Sequence, residues 1–247
     1  MEKKNSYNTR ENNSIKYSIV IPALNEEKTI GFCIQEIKKQ ASCAEIIVVD
    51  GMSTDKTVEI VKELDVKIVV EKKQTISAGR NRGLLEANGD IICYIDADAI
   101  PSALWFEQIM RPFSNDAVVG VSGIALPEDG TWIETFGMGA ILEVLSPILF
   151  HFGIPLVTGQ NMAFRRKEAI DVGGFPTDMI SGEDTCMFLR IKQKGRIVHS
   201  RSCVKVSMRR IRKWGLLRYI IFNTKNFLHL LKYKTPIPDD YEPVRKE

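Results

Sequence analysis

The chain has 247 residues, of which 44% are hydrophobic and 26% are charged, and this composition is typical of a globular protein with one main domain. The formal net charge of +3 is too small to indicate a nucleic-acid binder by itself. The five cysteines are scattered, with no Cys-x-x-Cys pair. This spacing argues against a disulfide framework or a zinc site and predicts a cytoplasmic protein with reduced thiols.

The ends of the chain differ in pattern from its middle. Residues 1–14 are polar and rich in asparagine, which predicts a disordered arm rather than a signal peptide. Residues 235–247 predict a polar tail, and residues 214–234 a basic amphipathic helix. No segment offers the roughly 20 uninterrupted apolar residues of a membrane span. The closest candidate, residues 138–157, is interrupted by a glutamate, a histidine and two prolines.

Strands and helices alternate through the first hundred residues. Strands are predicted at residues 17–22, 45–50, 67–70 and 91–95. Helical patterns lie between them, at residues 25–37, 55–64 and 77–87. Strands separated by helices of about ten residues indicate a mainly parallel sheet that is covered on both faces. The first half therefore predicts a doubly wound α/β architecture.

After residue 98 the regular alternation stops. Strands are predicted at residues 117–122, 160–164 and 196–199. Helices are predicted at residues 105–111, 131–150, 166–172, 183–194 and 214–231. The helix at 131–150 is long and mostly apolar.

The fourth predicted strand ends on Asp96-Ala97-Asp98, which places two carboxylates at its exit. In α/β proteins ligands bind at the carboxyl ends of the strands, and paired carboxylates suit a hard cation that also grips a diphosphate. Asp50 also follows an apolar strand, so parallel packing would bring it to the same sheet edge. Taken alone, the Asp-x-Asp pattern is equally consistent with a solvated acidic turn.

A series of short motifs links this pair to the rest of the chain. In order they are Pro22-Ala23-Leu24-Asn25-Glu26-Glu27, Val48-Val49-Asp50-Gly51-Met52-Ser53-Thr54-Asp55, Ala78-Gly79-Arg80-Asn81-Arg82-Gly83, Asp96-Ala97-Asp98, Gly173-Gly174-Phe175 and Gly182-Glu183-Asp184. This order resembles the inverting family 2 glycosyltransferases of the GT-A fold, over residues 17–214. The resemblance implies a GT-A domain at residues 15–213, with a nucleotide-binding first half and an acceptor-binding second half.

The same resemblance implies roles for individual residues. The nucleotide-sugar would be contacted by Pro22, Asn25, Glu27, Asp50, Arg80, Asp96 and Asp98. A Mg²⁺ or Mn²⁺ ion would be held mainly by Asp98, with Asp96 and His199 as further candidate ligands. Asp184, at the start of a predicted helix, would be the base that takes the proton from the acceptor hydroxyl.

Purely structural roles are the alternatives for several of these residues. Asp50 could cap the following helix, and Arg80 could pair with a surface carboxylate. Glu183 and Asp184 could stabilise the dipole of their helix. His199 could be an ordinary core histidine.

The basic segment at residues 205–234 carries nine Lys and Arg residues without one Asp or Glu. Its interleaved aromatic and aliphatic residues suit an anionic membrane interface, while packing on the sheet and nucleic-acid binding remain alternatives. Arg210-Ile211-Arg212-Lys213-Trp214 loosely resembles a motif of processive family members, although a lysine replaces its second arginine. Candidate contacts for an acceptor or diphosphate are Glu183, Arg209, Arg210, Arg212 and Trp214.

The function predicted from the sequence is transfer of a single sugar from a UDP- or GDP-sugar to a lipid-linked or glycan acceptor. It would occur at the cytoplasmic face of a membrane, without nucleic acid. Polyprenyl-phosphate sugar synthases are one subgroup of interest, but Ile100 stands where that subgroup usually has glutamine. The competing hypothesis is a non-catalytic sugar-nucleotide or lipid-binding module on the same fold, and the joint presence of Asp96, Asp98 and Asp184 argues against it.

Overall fold

A computed structural model describes residues 15–179 and 181–233, so the predicted arm and polar tail lie outside the described residues. The strands are β1 (Tyr17–Ala23), β2 (Glu45–Asp50), β3 (Lys67–Val70), β4 (Ile91–Ile95), β5 (Ile100–Pro101), β6 (Val118–Pro127), β7 (Asn161–Arg165) and β8 (Arg196–Val206). The helices are α1 (Ile30–Gln40), α2 (Thr57–Glu63), α3 (Ile76–Glu86), α4 (Trp105–Met110), α5 (Trp132–Ala140), α6 (Ser146–His151), α7 (Arg166–Asp171), α8 (Glu183–Ile191), α9 (Arg209–Trp214) and α10 (Leu216–Tyr233).

The strands of the described chain form one sheet in the order β3-β2-β1-β4-β7-β6-β8-β5. The strands β3, β2, β1 and β4 are parallel, which confirms the predicted doubly wound first half. Strand β7 runs antiparallel to β4 and places Asn161 opposite Ile95. The residues that precede β7 therefore reach the same edge as the residues that follow β4.

The apolar core occupies both faces of this sheet, because successive side chains of a strand point to opposite faces. Ile91, Cys93 and Ile95 pack in the cluster that contains residues of α1 and α4. Ile92 and Tyr94 pack in the second cluster, with residues of α3 and α8. This double burial explains why β4 is an uninterrupted apolar run, as is typical of a covered parallel strand.

Strands β6 and β8 are longer than predicted. They pair in parallel as far as Pro127 opposite Val206. Strand β8 continues through Arg201, Ser202 and Lys205. These polar residues obscure the alternation of apolar and polar side chains, so the sequence predicts only the first part of the strand. Ser202 is nevertheless buried, and its hydroxyl bonds to that of Ser200 at 2.6 Å, so polar residues inside the protein satisfy each other.

One predicted helix is interrupted, and one helix of the structure is not predicted. A π-helical stretch, Ile141–Leu145, separates α5 from α6 within the apolar segment. The sequence pattern does not predict α9, which Gly215, with φ of 82°, separates from α10, the counterpart of the helix predicted at residues 214–231. Among the residues described, no helix combines the length and the hydropathy that crossing a bilayer requires.

Candidate active site

A cleft of about 450 Å³ opens at the carboxyl edge of β1, β2 and β4. Its walls come from the loop after β1, from α3, from the loop after β4, from the residues before β7, from the start of α8, and from α9 and α10. The charged residues that line it are Glu26, Glu71, Lys73, Arg80, Asp96, Asp98, Glu183, Asp184 and Arg209. Carboxylates from distant parts of the sequence therefore meet at the edge that the strand pattern predicted.

Arg80 lies at the floor of the cleft and is only 2% exposed. One guanidinium nitrogen bonds to the carboxylate of Glu183. The other, Nη2, lies 3.0 Å from Asp96 Oδ1 and 2.7 Å from the carbonyl oxygen of Gly159. Arg80 thus pairs with two carboxylates inside the cleft, and not with one on the surface. It ties the loop after β4 to the start of α8.

Several acidic groups share this one guanidinium, and their pKa values reflect it. Burial alone would lower the pKa of Arg80, but the charges of Asp96, Glu183 and Asp184 outweigh it and raise that pKa. Burial raises the pKa of Glu183 to about 7, against the opposing pull of Arg80. Burial also raises the pKa of Asp184 above its ordinary value. The floor of the cleft therefore takes up a proton more readily than ordinary carboxylates do.

Asp184 is presented by the first turn of α8. The helix begins after Gly182, which has a φ of 77°, a left-handed conformation that favours glycine. Asp184 Oδ1 accepts a hydrogen bond of 2.6 Å from the amide of Thr185. A Cβ at Gly159 would lie 3.0 Å from Asp184 Oδ2, so glycine keeps this oxygen uncrowded on the side of the cleft.

Asp98 is paired with a different arginine. Arg209, the first residue of α9, has Nη2 at 3.1 Å from Asp98 Oδ2 and at 2.8 Å from Glu26 Oε1. Its side chain is 25% exposed. Burial alone would lower the pKa of Arg209, but the hydrogen bond to Glu26 and the charge of Asp98 raise it. The sequence predicts Asn25 and Glu27 as contacts, but Glu26, between them in the same loop, is the residue that pairs with Arg209. Its place in this loop is the signal in the sequence that points to it.

Three residues that the sequence predicts as nucleotide contacts do not line the cleft, and they bond instead within and between two loops. Asn25 Oδ1 accepts from the amide of Thr54 at 2.8 Å, and Glu27 Oε2 accepts from the amide of Lys56 at 3.1 Å. Asp50 is buried, and its Oδ2 accepts from the amide of Met52 at 3.0 Å. These bonds hold the loops after β1 and β2 together, while Pro22 lies in the cleft wall.

Other predicted residues lie away from the cleft lining. His199 Nδ1 is 3.3 Å from Ser146 Oγ, and its ring packs beside Phe150. The exposed Arg212 pairs with Asp129. Trp214 packs against Phe222 and Arg218. Arg210 belongs to α9, but its side chain lies outside the described set.

The residues present fit a partly solvated divalent cation. In residues 15–179 and 181–233, no group of three or more His, Cys, Asp or Glu side chains converges as a metal site. Asp98 and Asp96 still offer carboxylate oxygens to the same cleft. Magnesium-like ions keep waters and share their ligands with substrate phosphates, so one or two protein carboxylates suffice.

The sequence profile described as glycosyl transferase family 2 matches residues 18–173. The chain belongs to this family. Glycosyltransferase AglE of Haloferax volcanii is 30% identical over 179 residues, which is 68% of this chain and 58% of that protein. The probable glycosyltransferase YdaM of Bacillus subtilis is 30% identical over 209 residues, 73% of this chain and 47% of that protein. The chain therefore spans about half the length of these curated relatives.

Solved structures share the fold of this family 2 member at lower identity. Mannosyltransferase PcManGT from Pyrobaculum calidifontis, in complex with GDP-Man and Mn²⁺, superposes with a TM-score of 0.66 at 22% identity. The match covers 85% of this chain and 64% of that one. Glucosyl-3-phosphoglycerate synthase from Mycobacterium tuberculosis, with Mn²⁺, UDP and phosphoglyceric acid, gives 0.65 at 20%, covering 92% and 80%. The predicted GT-A type of fold is confirmed.

Proposed function

We propose that this protein transfers one sugar from a nucleoside-diphosphate sugar to an acceptor, with inversion at the anomeric carbon. The convergence of Asp96, Asp98, Glu183 and Asp184 on one cleft, together with two arginines, carries the proposal. UDP and GDP are the favoured nucleotides of the donor, since fold relatives were crystallised with GDP-Man or UDP.

The donor would lie across the carboxyl edge of the sheet. Pro22 and Gly79 line the side of the cleft nearest β1 and α3, where a nucleoside would fit against the backbone. The diphosphate would then point toward Asp96 and Asp98. A Mg²⁺ or Mn²⁺ ion held there supplies a positive charge that stabilises the departing diphosphate. Arg209, beside Asp98, is placed to add a second positive charge to the same phosphates.

Asp184 would act as the general base on the acceptor. Inversion requires the acceptor hydroxyl to attack from the face of the sugar opposite to the diphosphate. Asp184 enters the cleft from α8, whereas the Asp-x-Asp pair enters from β4. Its raised pKa makes it a better proton acceptor, and a base works best with a pKa nearer the working pH.

An acceptor at a membrane surface is supported by the two sides of α10. The inner side of this helix, with Tyr219, Asn226 and Leu230, closes the cleft. The outer side exposes leucines and isoleucines, including Leu217 at 72%, and it carries several exposed cations. Amphipathic helices of this kind bind anionic bilayers through apolar contact and charge. A lipid-linked acceptor would thus enter beside the surface that touches its membrane.

Nucleotide release tests the catalytic proposal. The protein is incubated with a panel of UDP- and GDP-sugars, Mn²⁺ and a lipid-linked or glycan acceptor mixture. We expect Asp98→Asn to lower the rate roughly a hundredfold, because the cation loses its main protein ligand. Asp116→Asn, which removes an exposed carboxylate outside the cleft, is the matched control. Release by wild type no faster than without protein would refute catalysis and favour the non-catalytic binding module, whereas equal release above that level by wild type and Asp98→Asn would remove Asp98 from the catalytic site.

Vesicle sedimentation tests the membrane contact. The protein should sediment with phosphatidylglycerol-containing vesicles but not with pure phosphatidylcholine, and salt should release it. The double variant Leu217→Ser/Ile221→Ser should lose this binding. Leu85→Ser, an exposed leucine on α3, should retain it. Vesicle binding that is unchanged in the double variant would contradict a role for α10.

A further inference from the structure

Asp98 is already neutralised in the protein by an internal cation. The Arg209 guanidinium lies 3.1 Å from Asp98 Oδ2, on the carboxylate that a divalent ion would also use. Two cations cannot share such a carboxylate closely without repelling each other. Metal binding at Asp98 therefore competes with Arg209, and this feature follows from the positions of the two side chains alone.

Arg209 is built so that it can leave Asp98 without leaving the cleft. Its second partner, Glu26, lies 2.8 Å away in the loop after β1 and accepts from both guanidinium nitrogens. Glu26 is itself buried and is held by a hydrogen bond of 3.0 Å from the hydroxyl of Thr29. When a cation takes Asp98, Glu26 can retain the guanidinium at the rim.

A diphosphate would offer Arg209 a new partner at the same place. Guanidinium groups bind phosphate oxygens through paired, charge-assisted hydrogen bonds. Arg209, Asp96 and Asp98 all line the same cleft, so the phosphates of a donor held there come within reach of this side chain. The contact that Arg209 loses when the cation arrives is thus replaced when the donor arrives.

We propose that Arg209 couples cation binding to nucleotide binding. In the free protein it occupies Asp98 and weakens the binding of metal alone. In the complex it moves onto the diphosphate and leaves Asp98 to the cation. This inference rests on the proposed function, because it takes the donor to be a nucleoside diphosphate derivative. Since coupling between two ligands is reciprocal, the metal also strengthens nucleotide binding by the same factor.

Mn²⁺ binding, followed by electron paramagnetic resonance of the free ion, provides a test that does not depend on turnover. Affinities are measured with and without UDP, and again with GDP, for wild type and for Arg209→Gln. We expect Arg209→Gln to bind Mn²⁺ alone about tenfold more tightly and to lose about tenfold of the enhancement that the nucleotide provides, within the usual range of coupling. Arg212→Gln removes a cation from the same helix, whose partner Asp129 lies outside the cleft, and should behave as wild type.

Glu26→Gln provides an opposite perturbation. Without the Glu26 carboxylate, Arg209 pairs with Asp98 alone, so Mn²⁺ in the absence of nucleotide should bind more weakly than in wild type. Unchanged binding of Mn²⁺ alone by Arg209→Gln would overturn the proposal. An equal gain in Mn²⁺ affinity with and without nucleotide would also overturn it, because Arg209 would then repel the ion without changing its partner when the nucleotide binds. If neither UDP nor GDP binds to any variant under any condition, the proposed function itself fails, and that outcome is distinct from the other two.

Discussion

Two arginines neutralise the acidic residues of the cleft, and they do so at different depths. Arg80 is 2% exposed and is held between Asp96 and Glu183. The side chain of Arg209 is 25% exposed and reaches Glu26 and Asp98 from the rim. The deep arginine joins two secondary-structure elements, whereas the shallow one can exchange partners with solvent and ligands. The cleft therefore combines a rigid floor with an adaptable edge.

The environment of each pair accounts for this difference. Removing one member of a buried ion pair leaves an uncompensated charge and costs about 3–5 kcal/mol. Ion pairs that water reaches contribute about 0–1 kcal/mol, because solvent screens them. Arg80 belongs to the first class and Arg209 lies nearer to the second. Their substitutions should accordingly fail in different ways.

The largest expected effect falls on the chemistry at the floor. Asp184→Asn should lower the rate of sugar transfer by about 10²–10⁴, the usual contribution of a general base. The same variant should still bind nucleotide with Mn²⁺, since the rim keeps Asp98 and Arg209. Initial rates and nucleotide titrations measure the two properties separately. If Asp184→Asn lost nucleotide binding together with the rate of transfer, the residues at the floor of the cleft and those at its rim would not act independently.

Stability gives the next largest contrast. Arg80→Met should lower the free energy of unfolding by about 3 kcal/mol, because Asp96 and Glu183 lose their buried partner. Arg209→Met should lower it by less than about 1 kcal/mol. Urea denaturation at neutral pH measures both. Equal losses for the two variants would contradict the distinction between the arginines.

A smaller effect, counted per pH unit, should appear in the pH dependence of stability. The pKa of Glu183 is raised from 4.5 to about 7, so the folded state binds a proton that the unfolded state releases. Stability from this group is complete below about pH 4.5 and is lost as the pH rises to about 7, by at most about 1.4 kcal/mol per pH unit. Urea denaturation from pH 5 to 8 should show a flatter profile for Glu183→Gln.

The exposed Glu59 of α2 offers a matched control for that profile. Glu59→Gln should follow the wild-type slope, because this exposed side chain lies outside the cleft that holds Glu183. A Glu183→Gln profile parallel to that of wild type would mean that another group takes up the proton.

The positions of the site residues at strand ends could be predicted from the sequence, but the ion pairs between their side chains could not. The apolar run before Asp96 and Asp98 predicts a strand that is buried on both faces of a sheet, because such strands are continuously apolar. The two carboxylates are thereby placed at the end of that strand. The pairing of Arg80 with Glu183 depends on how α3 packs against α8, and no local pattern encodes it. Arg209 was recognised as a candidate contact, yet its attachment to Glu26 required knowledge of which loop residue turns inward.

The same reasoning explains the errors in the second half. Strand β8 carries polar residues whose hydrogen-bond partners come from within the protein, so hydropathy underestimates its length. Helix α9 is a short helix that ends just before Gly215, and so short a segment gives no clear helical pattern in the sequence. His199 stands in β8 beside Ser146 and Phe150, a neighbourhood that depends on the packing of α6.

The contact of α10 with the start of α8 has a consequence for how acceptor preference can change. Gly182 approaches Leu230 and Asn226 so closely that a Cβ there would lie 2.5 Å from Leu230 Cδ1. One wall of the cleft is therefore an appended helix resting on a glycine, while the opposite wall is the edge of the sheet. Under the proposed function, substitutions on the inner side of that helix would reshape the entrance for the acceptor and leave the sheet edge, where the donor would lie, intact. A change of acceptor would then require changes in one peripheral element only.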